Sequence, residues 1–417
     1  MDERRLDRPW LVVRAGALAV LLAQGVGRFV LTPLLPPMQA ELGLDDTRAG
    51  LLGSVNFAGY LAGAVLVALR PSLSAAALVR WGLALVTAGA LAMPLLVHEL
   101  AWLAARLVAG LGGAFLFLGG VAAAAGRLAA AGRASAMGGV LAGVGIGIAL
   151  GGAVALAVRP GWRVGWLVMA ALTLPAAPLL LRLAPADRVA TIPPARLERS
   201  PALRRLAWAY GLSGFAFGAG ATFFVRVLAA RDPDLATLAW IAAGLVGAVS
   251  APLWTAAGRR LGRCPALVAA ILLLALGTAL TGLAARPVPA VLAGLSLGGT
   301  FMGITALALE QARAAAPRTP AGAAAFVTGC FGLGQVAGPL LSGLLLDLAG
   351  SVAALLAPAA IAAAGAVFLL PELRRSGGSG NHPPALDPER GGRQMAGRLD
   401  PLEPARPDVR IGPEIEG

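Results

Sequence analysis

The stretch QGVGRFVLTPLLPPMQAELG, from Gln24 to Gly43, places one arginine inside a long apolar run. Arg28 lies about 15 residues into that run, or ~22 Å along a helix, and three prolines follow it at positions 33, 36 and 37. About 20 apolar residues suffice for a helix to cross the hydrocarbon core of a bilayer. A charged side chain at such a depth costs a few kcal/mol or more, so it indicates a functional role.

The composition predicts an all-α polytopic membrane protein. The 417 residues are 58% hydrophobic and 13% charged, whereas soluble domains are about 25% charged. Apolar segments long enough to span a bilayer recur along the chain, and twelve can be drawn. They are residues 11–36, 47–69, 74–97, 100–125, 134–158, 163–183, 205–229, 236–256, 264–284, 288–311, 321–346 and 351–371.

A polar, basic, proline-containing stretch at 184–204 divides these segments into two halves of six. We expect a cytoplasmic N-terminus at 1–10, one six-helix bundle at 11–183 and a second at 205–371. Residues 372–417 are rich in Gly, Pro, Arg and acidic residues without apolar periodicity. Such a composition buries too little apolar surface to fold alone, which predicts a disordered cytoplasmic tail.

The distribution of arginine predicts the orientation in the membrane. All 34 basic residues are Arg, and they concentrate at the termini and in alternate loops, which in membrane proteins face the cytoplasm. The opposite loops hold only Arg48, Arg159, Arg163, Arg231 and Arg286. We therefore expect a multi-pass protein of the bacterial inner (plasma) membrane, with both termini cytoplasmic and the first helix retained. Because the arginines lie between apolar segments, nucleic-acid binding is disfavoured.

The two halves resemble each other. GGAF at 112–115 is followed by Arg127, and GGTF at 298–301 is followed by Arg313 at the same spacing. Parallel six-helix repeats mark one class of secondary transporters, although chance matching in Ala/Gly-rich sequence is the alternative. In segment five, glycines recur every fourth residue from 139 to 151, a spacing that predicts close helix packing.

Twelve helices in two related halves resemble the major facilitator superfamily over about residues 10–371. The stretch GVGRFVLTPLLPPMQAELGLDDTRAG followed by NFAGYLAGA is similar to the signature of the YbfB/YjiJ-type facilitators. This resemblance implies two pseudo-symmetric six-helix bundles (the major facilitator fold) and a transporter without a settled substrate.

Other superfamily motifs are present with departures. ARLVAG at 105–110 is close to the arginine-plus-glycine motif of helix four. The loop with Arg259, Arg260 and Arg263 matches the basic end of the conserved inner-loop motif without its aspartate. The resemblance implies that these arginines latch the cytoplasmic side, since the first-half loop at 70–74 has largely lost the motif. Ile148 stands where the antiporter motif has proline, which argues against antiport.

In the resembled fold, helices one, four, seven and ten line the central cavity. Arg28, Arg106 and Arg226 would then lie on cavity helices at similar depth in the outer half. Guanidinium groups favour carboxylate or phosphate partners, so we predict a small organic anion as substrate. The alternatives are snorkelling to the interface for Arg226 and a helix-bundling hydrogen bond for Arg106.

Further polar residues complete the predicted substrate and gating site. Gln24 lies one turn before Arg28, and Asn56 and Tyr60 share one face of helix two. Additional polar candidates in the second half are Tyr210, Thr222 and Gln335.

Glu310 and Asp347 are candidate coupling groups, with protons as a possible coupling ion. For Glu310, an ion pair with Arg313 on the next turn is the alternative.

The sequence carries no signature of an enzyme. There is no phosphate-binding Gly-x-x-x-x-Gly-Lys motif, and the chain lacks lysine. The two histidines, His98 and His382, fall in a loop and in the tail, and the cysteines lack metal-ligand spacing. We therefore predict no catalytic residues, no metal and no cofactor.

The sequence favours a monomeric secondary active transporter that works by alternating access in the lipid bilayer on a small-molecule substrate. The alternatives are an exporter of hydrophobic or drug-like compounds, and a non-transporting membrane sensor or enzyme.

Overall fold

The structure is a computed structural model that describes residues 8–70, 73–183, 198, 200–284 and 286–378, with side chains to 374. Most of the predicted linker, and the predicted tail from residue 379 onward, lie outside the described residues. The helices up to Arg374 belong to one compact unit. The division into bundles, linker and tail at the residue boundaries given above stays a prediction.

The described chain is almost entirely helical, with eleven helices long and apolar enough to cross a membrane. The last of these, Pro320–Val367, contains a break at Gly350, where φ is 79° and ψ is 178°. We number the part before Gly350 α11 and the part after it α12, which gives twelve spans and confirms the predicted fold class. The others are α1 Pro9–Leu42, α2 Asp46–Leu69, α3 Ala75–Leu95, α4 Glu99–Ala130, α5 Ala134–Ala157, α6 Trp162–Leu183, α7 Pro201–Ala229, α8 Pro233–Leu261, α9 Arg263–Leu283 and α10 Pro287–Ala315; a short α13, Leu370–Gly378, follows α12.

Local sequence signals set several helix ends. The Asp45 side chain accepts a hydrogen bond from Arg48 N at 2.7 Å and caps α2. Asp232 caps α8 in the same way, through Asp234 N and Leu235 N. Gly43 ends α1 in the left-handed conformation (φ 64°), which glycine adopts without strain. Among the described residues, only a few separate successive helices within each bundle.

The prediction that the first span ends at its prolines, at residue 36, is wrong. Helix α1 runs α-helical from Pro9 to Leu21, π-helical from Leu22 to Phe29, and α-helical again from Leu31 to Leu42, with Pro36 and Pro37 inside. Buried helices tolerate proline where local π adjustments and neighbouring side chains satisfy the backbone. The Thr32 hydroxyl, which donates to the Ala221 carbonyl at 2.7 Å, ties this proline-rich part to α7.

Two bundles, α1–α6 and α7–α12, meet along three helix pairs: α2 with α11, α5 with α8, and the end of α1 with α7. We call the face that carries the α1–α2 loop at 43–45 the outer face, following the arginine distribution. Glycine permits the close approach. Gly145 of α5 faces the Gly244 and Ala248 backbone, and Gly50 of α2 faces the Pro339 carbonyl.

The glycine stripe of α5 packs against α1. A Cβ on Gly147 would lie 2.6 Å from the Leu21 carbonyl oxygen and 3.0 Å from Gly25 N, and Gly143 faces the Ala17 backbone. Reciprocally, a Cβ on Gly25 would lie 2.8 Å from the Gly147 oxygen. These contacts confirm the packing prediction, and they place the π-helical part of α1 directly on α5.

We expect Gly147→Ala to lower the melting temperature of the detergent-solubilised protein by several degrees. The new methyl group meets the α1 backbone at Leu21 and Gly25, and overpacking of this kind costs about 1–3 kcal/mol. Gly126→Ala is the matched control, since a Cβ at this α4 position meets nothing within 4 Å. Equal melting temperatures for the two variants would contradict the assigned α1–α5 contact.

Candidate functional site

Arg28 lies in the π-helical part of α1, at the interface between the bundles. Its side chain is 6% exposed. Nη1 donates to Gln24 Oε1 at 3.2 Å on the same helix, and Nη2 donates to Gln335 Oε1 at 3.0 Å on α11 of the other bundle. Gln24 Nε2 in turn donates to the Tyr60 hydroxyl at 3.3 Å. The predicted pair of Gln24 and Arg28 is thus joined to α2 and α11.

Aromatic rings surround the Arg28 guanidinium. Its central carbon lies 4.2 Å from the ring centre of Tyr60, 4.7 Å from that of Phe57 and 5.2 Å from that of Phe29. Ring faces attract cations, and the attraction is larger where water is excluded. Neutral amide oxygens and ring faces therefore hold this buried charge.

Arg106 and Asn56 fix the backbone that carries Arg28. Arg106, on α4 and 1% exposed, donates from Nη2 to the Arg28 carbonyl at 3.0 Å. The Asn56 amide donates to both the Gly27 and the Arg106 carbonyls at 2.9 Å. These contacts are those of the helix-bundling alternative given for Arg106, since its guanidinium ties α4 to α1. Asn56 likewise ties α2 to both α1 and α4.

Among the residues that the structure describes, no carboxylate lies within 4 Å of either guanidinium. Arg28 Nε and Arg106 Nε and Nη1 are buried without a hydrogen-bond partner, as is Gln335 Nε2. Arg28 and Arg106 line one small cavity with about 10 Å³ open to the centre of a water molecule, which is space for about one water. The centre thus offers unused donors and positive charge.

Phe29 forms the boundary between this polar centre and an aromatic cluster. Its ring meets Phe217 of α7, Phe301 of α10 and Trp240 of α8 edge-on, at centroid distances of 6.0, 6.1 and 6.5 Å. Sequence reasoning did not select these aromatic residues, although Phe29 stands next to Arg28 in the Gly-Arg-Phe motif. Periodicity alone gives no sign that rings from four helices converge.

Arg226 pairs with Asp46 between the bundles. Its Nε and Nη2 donate to the two Asp46 carboxylate oxygens at 2.9 and 3.0 Å. Gln39 Nε2 also donates to this carboxylate, at 2.7 Å. The snorkelling alternative for Arg226 does not describe these contacts, because an acidic partner from α2 holds the guanidinium. The substrate or gating role of Arg226 stays a prediction. Sequence reasoning did not select Asp46 as a site residue.

Asp347 joins the bundles at the same outer face. Its carboxylate accepts hydrogen bonds from the backbone N–H groups of Asp46 and Thr47 at 3.1 and 2.8 Å, and from the Thr47 hydroxyl at 2.5 Å. It thereby caps the first turn of α2 from α11. A third bridge joins Arg159, at the end of α5, to Asp234 and Thr237 of α8.

An open vestibule of about 600 Å³ lies on the outer side of the central site. Pro36, Gln39, Asp46, Arg159 and Arg226 contribute to its walls, together with Asp347. Residues of all three outer bridges therefore form part of the vestibule wall. In this conformation ion pairs and hydrogen bonds join the outer halves of the two bundles.

A sequence profile of the family described as an uncharacterised MFS-type transporter, YbfB, matches residues 20–370. The chain belongs to this family of the major facilitator superfamily. The matched region extends across both bundles and contains every residue of the central site. A chloramphenicol resistance protein from Streptomyces lividans is 30% identical over 344 residues, which cover 77% of this chain and 85% of that protein.

Solved transporter structures share the fold. The nucleoside transporter NupG matches with a TM-score of 0.67 at 17% identity, over 87% of this chain and 99% of that one. A bacterial homologue of the human lysosomal transporter Spinster gives 0.68 at 14% identity, over 90% and 98%. The human organic anion transporter MFSD10 gives 0.61 at 19% identity, over 88% and 100%. These similarities confirm the major facilitator fold.

The remaining predicted residues of this facilitator lie away from the centre. Glu310 lies 3.5 Å from Arg263 of α9, so the ion pair expected with Arg313 is replaced by one between neighbouring helices. Arg259 and Arg260 are exposed at the inner end of α8. The latch role of these loop arginines and the coupling roles of Glu310 and Asp347 stay predictions.

The three polar candidates from the second half, Gln335, Thr222 and Tyr210, each contact a neighbouring helix. Gln335 binds Arg28, as described. Thr222 lies against Gly53 of α2 beside the polar cavity. The Tyr210 hydroxyl donates to Thr305 Oγ1 at 3.0 Å within the second bundle. Cys264 and Cys330 are free thiols.

We expect Asp46→Asn to open the outer face of this facilitator. The substitution removes the charge that holds Arg226, and each 1.4 kcal/mol lost from the closed state gives a tenfold population shift. Cysteine placed at buried Thr222, in a background without Cys264 and Cys330, should react about tenfold faster with a membrane-impermeant maleimide.

Asp45→Asn is the matched control for that measurement. Asp45 is half exposed and caps α2 within its own bundle, and asparagine caps helices as well as aspartate does. Its labelling rate should equal that of the parent. A rate unchanged by Asp46→Asn would contradict an outer closure that depends on Arg226.

Asn56→Leu should destabilise the fold. The change removes two buried hydrogen bonds, to the Gly27 and Arg106 carbonyls, each worth about 0.5–1.5 kcal/mol. A fall in melting temperature larger than that of Ser54→Ala is expected, since Ser54 accepts only the Leu340 N–H. Similar melting temperatures for the two variants would refute a bracing role for Asn56.

Proposed function

We propose that this facilitator is a secondary active transporter of a small organic anion, with Arg28 as the anion-binding group. The supporting observation is the pair of buried guanidinium groups without a carboxylate partner among the described residues. In most proteins a buried charge is paired. An anionic substrate would supply the missing partner and take up the unused donors of Arg28 and Arg106.

The position of Arg28 suits alternating access. It contacts α1 and α2 of one bundle and Gln335 of the other. A substrate carboxylate that replaces the Gln335 contact would change the attraction between the bundles, and a ligand shifts a conformational equilibrium only through such differential contacts. The proposal places the protein in the bacterial inner membrane as a monomer, with both termini cytoplasmic and a proton as candidate coupling ion.

The second candidate is an exporter of hydrophobic or drug-like compounds. It is favoured by the similarity to a protein named for chloramphenicol resistance, and by the aromatic cluster beside Arg28. It leaves the Arg28 and Arg106 guanidinium groups without an anionic partner among the described residues, so we rank it below the anion transporter.

Reconstituted vesicles test the proposal through Arg28→Ala. Uptake of radiolabelled monocarboxylates from a panel should fall at least tenfold in the variant, since a charge-assisted hydrogen bond to a carboxylate contributes about 1.5–3 kcal/mol. The same panel includes neutral and cationic lipophilic compounds, whose transport would favour the exporter.

Arg14→Ala is the control on the same helix. Arg14 is exposed at the inner end of α1, over the ring of Trp10, and its loss should leave uptake at the parental rate. Anion uptake that survives Arg28→Ala unchanged would overturn the proposal.

A further inference from the structure

The central site of this facilitator has a polar half and an apolar half. The polar half is the small cavity lined by Arg28, Arg106 and Asn56. The apolar half is a second small cavity lined by Phe217, Phe301 and other apolar side chains of α5, α7, α8 and α10. Each cavity has about 10 Å³ open to the centre of a water molecule, so in this conformation both are nearly closed.

Phe29 separates the two halves. It lines the polar cavity, and its ring lies 6.0 and 6.1 Å from Phe217 and Phe301, which line the apolar one. The Arg28 guanidinium carbon is 5.2 Å from the same ring. The ring–ring distances are those of neighbouring aromatic groups, and the guanidinium–ring distance is that of a cation–π contact. A molecule that carries a charged group on an aromatic ring has the length to reach from one half to the other when Phe29 moves.

The walls of the apolar half present flat ring faces. Phe217 and Phe301, which both line this cavity, stack at 4.0 Å with 9° between their planes. Tyr210 and Phe331 form a second stacked pair, at 4.3 Å and 19°, outside the cavity lining. Phe301 and Phe331 lie within 21° of parallel, at 6.4 Å. The stacked, nearly parallel rings of Phe217 and Phe301, from α7 and α10, make more contact with a planar ring than with a puckered one, because aromatic pairs have preferred geometries.

The polar half favours a carboxylate over a neutral group. Arg28 Nε and Arg106 Nε and Nη1 lack acceptors among the described residues. A carboxylate offers two acceptor oxygens and a full negative charge, whereas a carboxamide offers one acceptor oxygen and brings two donors of its own. Donors placed against unused donors would be repelled, so the site discriminates by charge as well as by shape.

We infer that the substrate is an aromatic carboxylate, with its carboxylate on Arg28 and its ring against the Phe217–Phe301 pair. This inference rests on the proposed anion transport and adds the chemical class of the anion. Phe29 then acts as the residue that selects for the ring, because it must turn aside to join the two halves. The aromatic residues alone would also suit an uncharged aromatic compound. The charge of Arg28 is what makes the site prefer an aromatic carboxylate over such a compound.

Binding of four probes to the purified full-length protein tests the inference by isothermal titration calorimetry. The probes are benzoate, cyclohexanecarboxylate, benzamide and acetate. Benzoate should bind at least tenfold more tightly than each of the others: cyclohexanecarboxylate lacks the flat ring, benzamide lacks the charge, and acetate lacks the apolar part.

Two variants show which residues cause the preference. Phe301→Leu keeps an apolar side chain but removes the flat face, so it should bring benzoate and cyclohexanecarboxylate to within about threefold of each other. Arg28→Gln should remove the preference of benzoate over benzamide. Phe326→Leu, at an exposed position of α11, is the control and should leave all four affinities unchanged. Melting temperatures within a few degrees of the parent establish that each variant is folded.

The outcomes separate this inference from the function on which it rests. Equal affinities for benzoate and cyclohexanecarboxylate in the parent would overturn the aromatic assignment and leave anion transport standing. The same result follows if Phe301→Leu, folded, keeps the full preference for benzoate. Benzamide bound as tightly as benzoate would overturn both, as would the absence of binding by every carboxylate.

Discussion

The charge of Arg28, buried without a carboxylate partner, is the constraint on which the centre of the molecule depends. Two amide oxygens and three ring faces hold it, and each comes from a position that the fold must bring there. An ion pair would neutralise this group permanently. Amide oxygens and ring faces keep it buried, and they leave it able to accept an anion because its charge is still unmatched.

The interface between the two bundles links the central site to the outer face. Gln335 and Asp347 lie on α11, one at the Arg28 contact and the other at the N-terminus of α2. Asp46 receives Arg226 from α7 at that same end of α2. A separation of α2 from α11 at the outer face therefore strains the Arg28–Gln335 contact as well. Binding at the centre changes the α1–α11 contact of Arg28 with Gln335, and closure at the outer face changes the α2–α11 contact of Asp46 with Asp347. Both act on α11, which provides a physical route for coupling between them.

The helices were predictable from the sequence because apolar segments of membrane length are a strong signal, and the pairing of Gln24 with Arg28 followed from one helical turn. The passage of α1 through Pro36 and Pro37 was not predictable from local rules, since it depends on neighbours that take up the backbone groups. The Asp46–Arg226 pair joins residues far apart in sequence, and no period or motif connects them. The aromatic cluster was not predicted for a similar reason: each of its residues, taken alone, resembles an ordinary apolar core residue.

The capping of α2 by Asp347 has a consequence for the biogenesis of the protein. The N-terminal turn of the second helix receives two of its hydrogen-bond acceptors from a residue near the end of the eleventh. During synthesis that turn enters the membrane long before its acceptor is made. The first half of the chain therefore inserts with the N–H groups at the start of α2 lacking the Asp347 carboxylate. Only the completed second half supplies this acceptor. The two bundles are related in architecture, but the first one reaches its final structure only in the presence of the second.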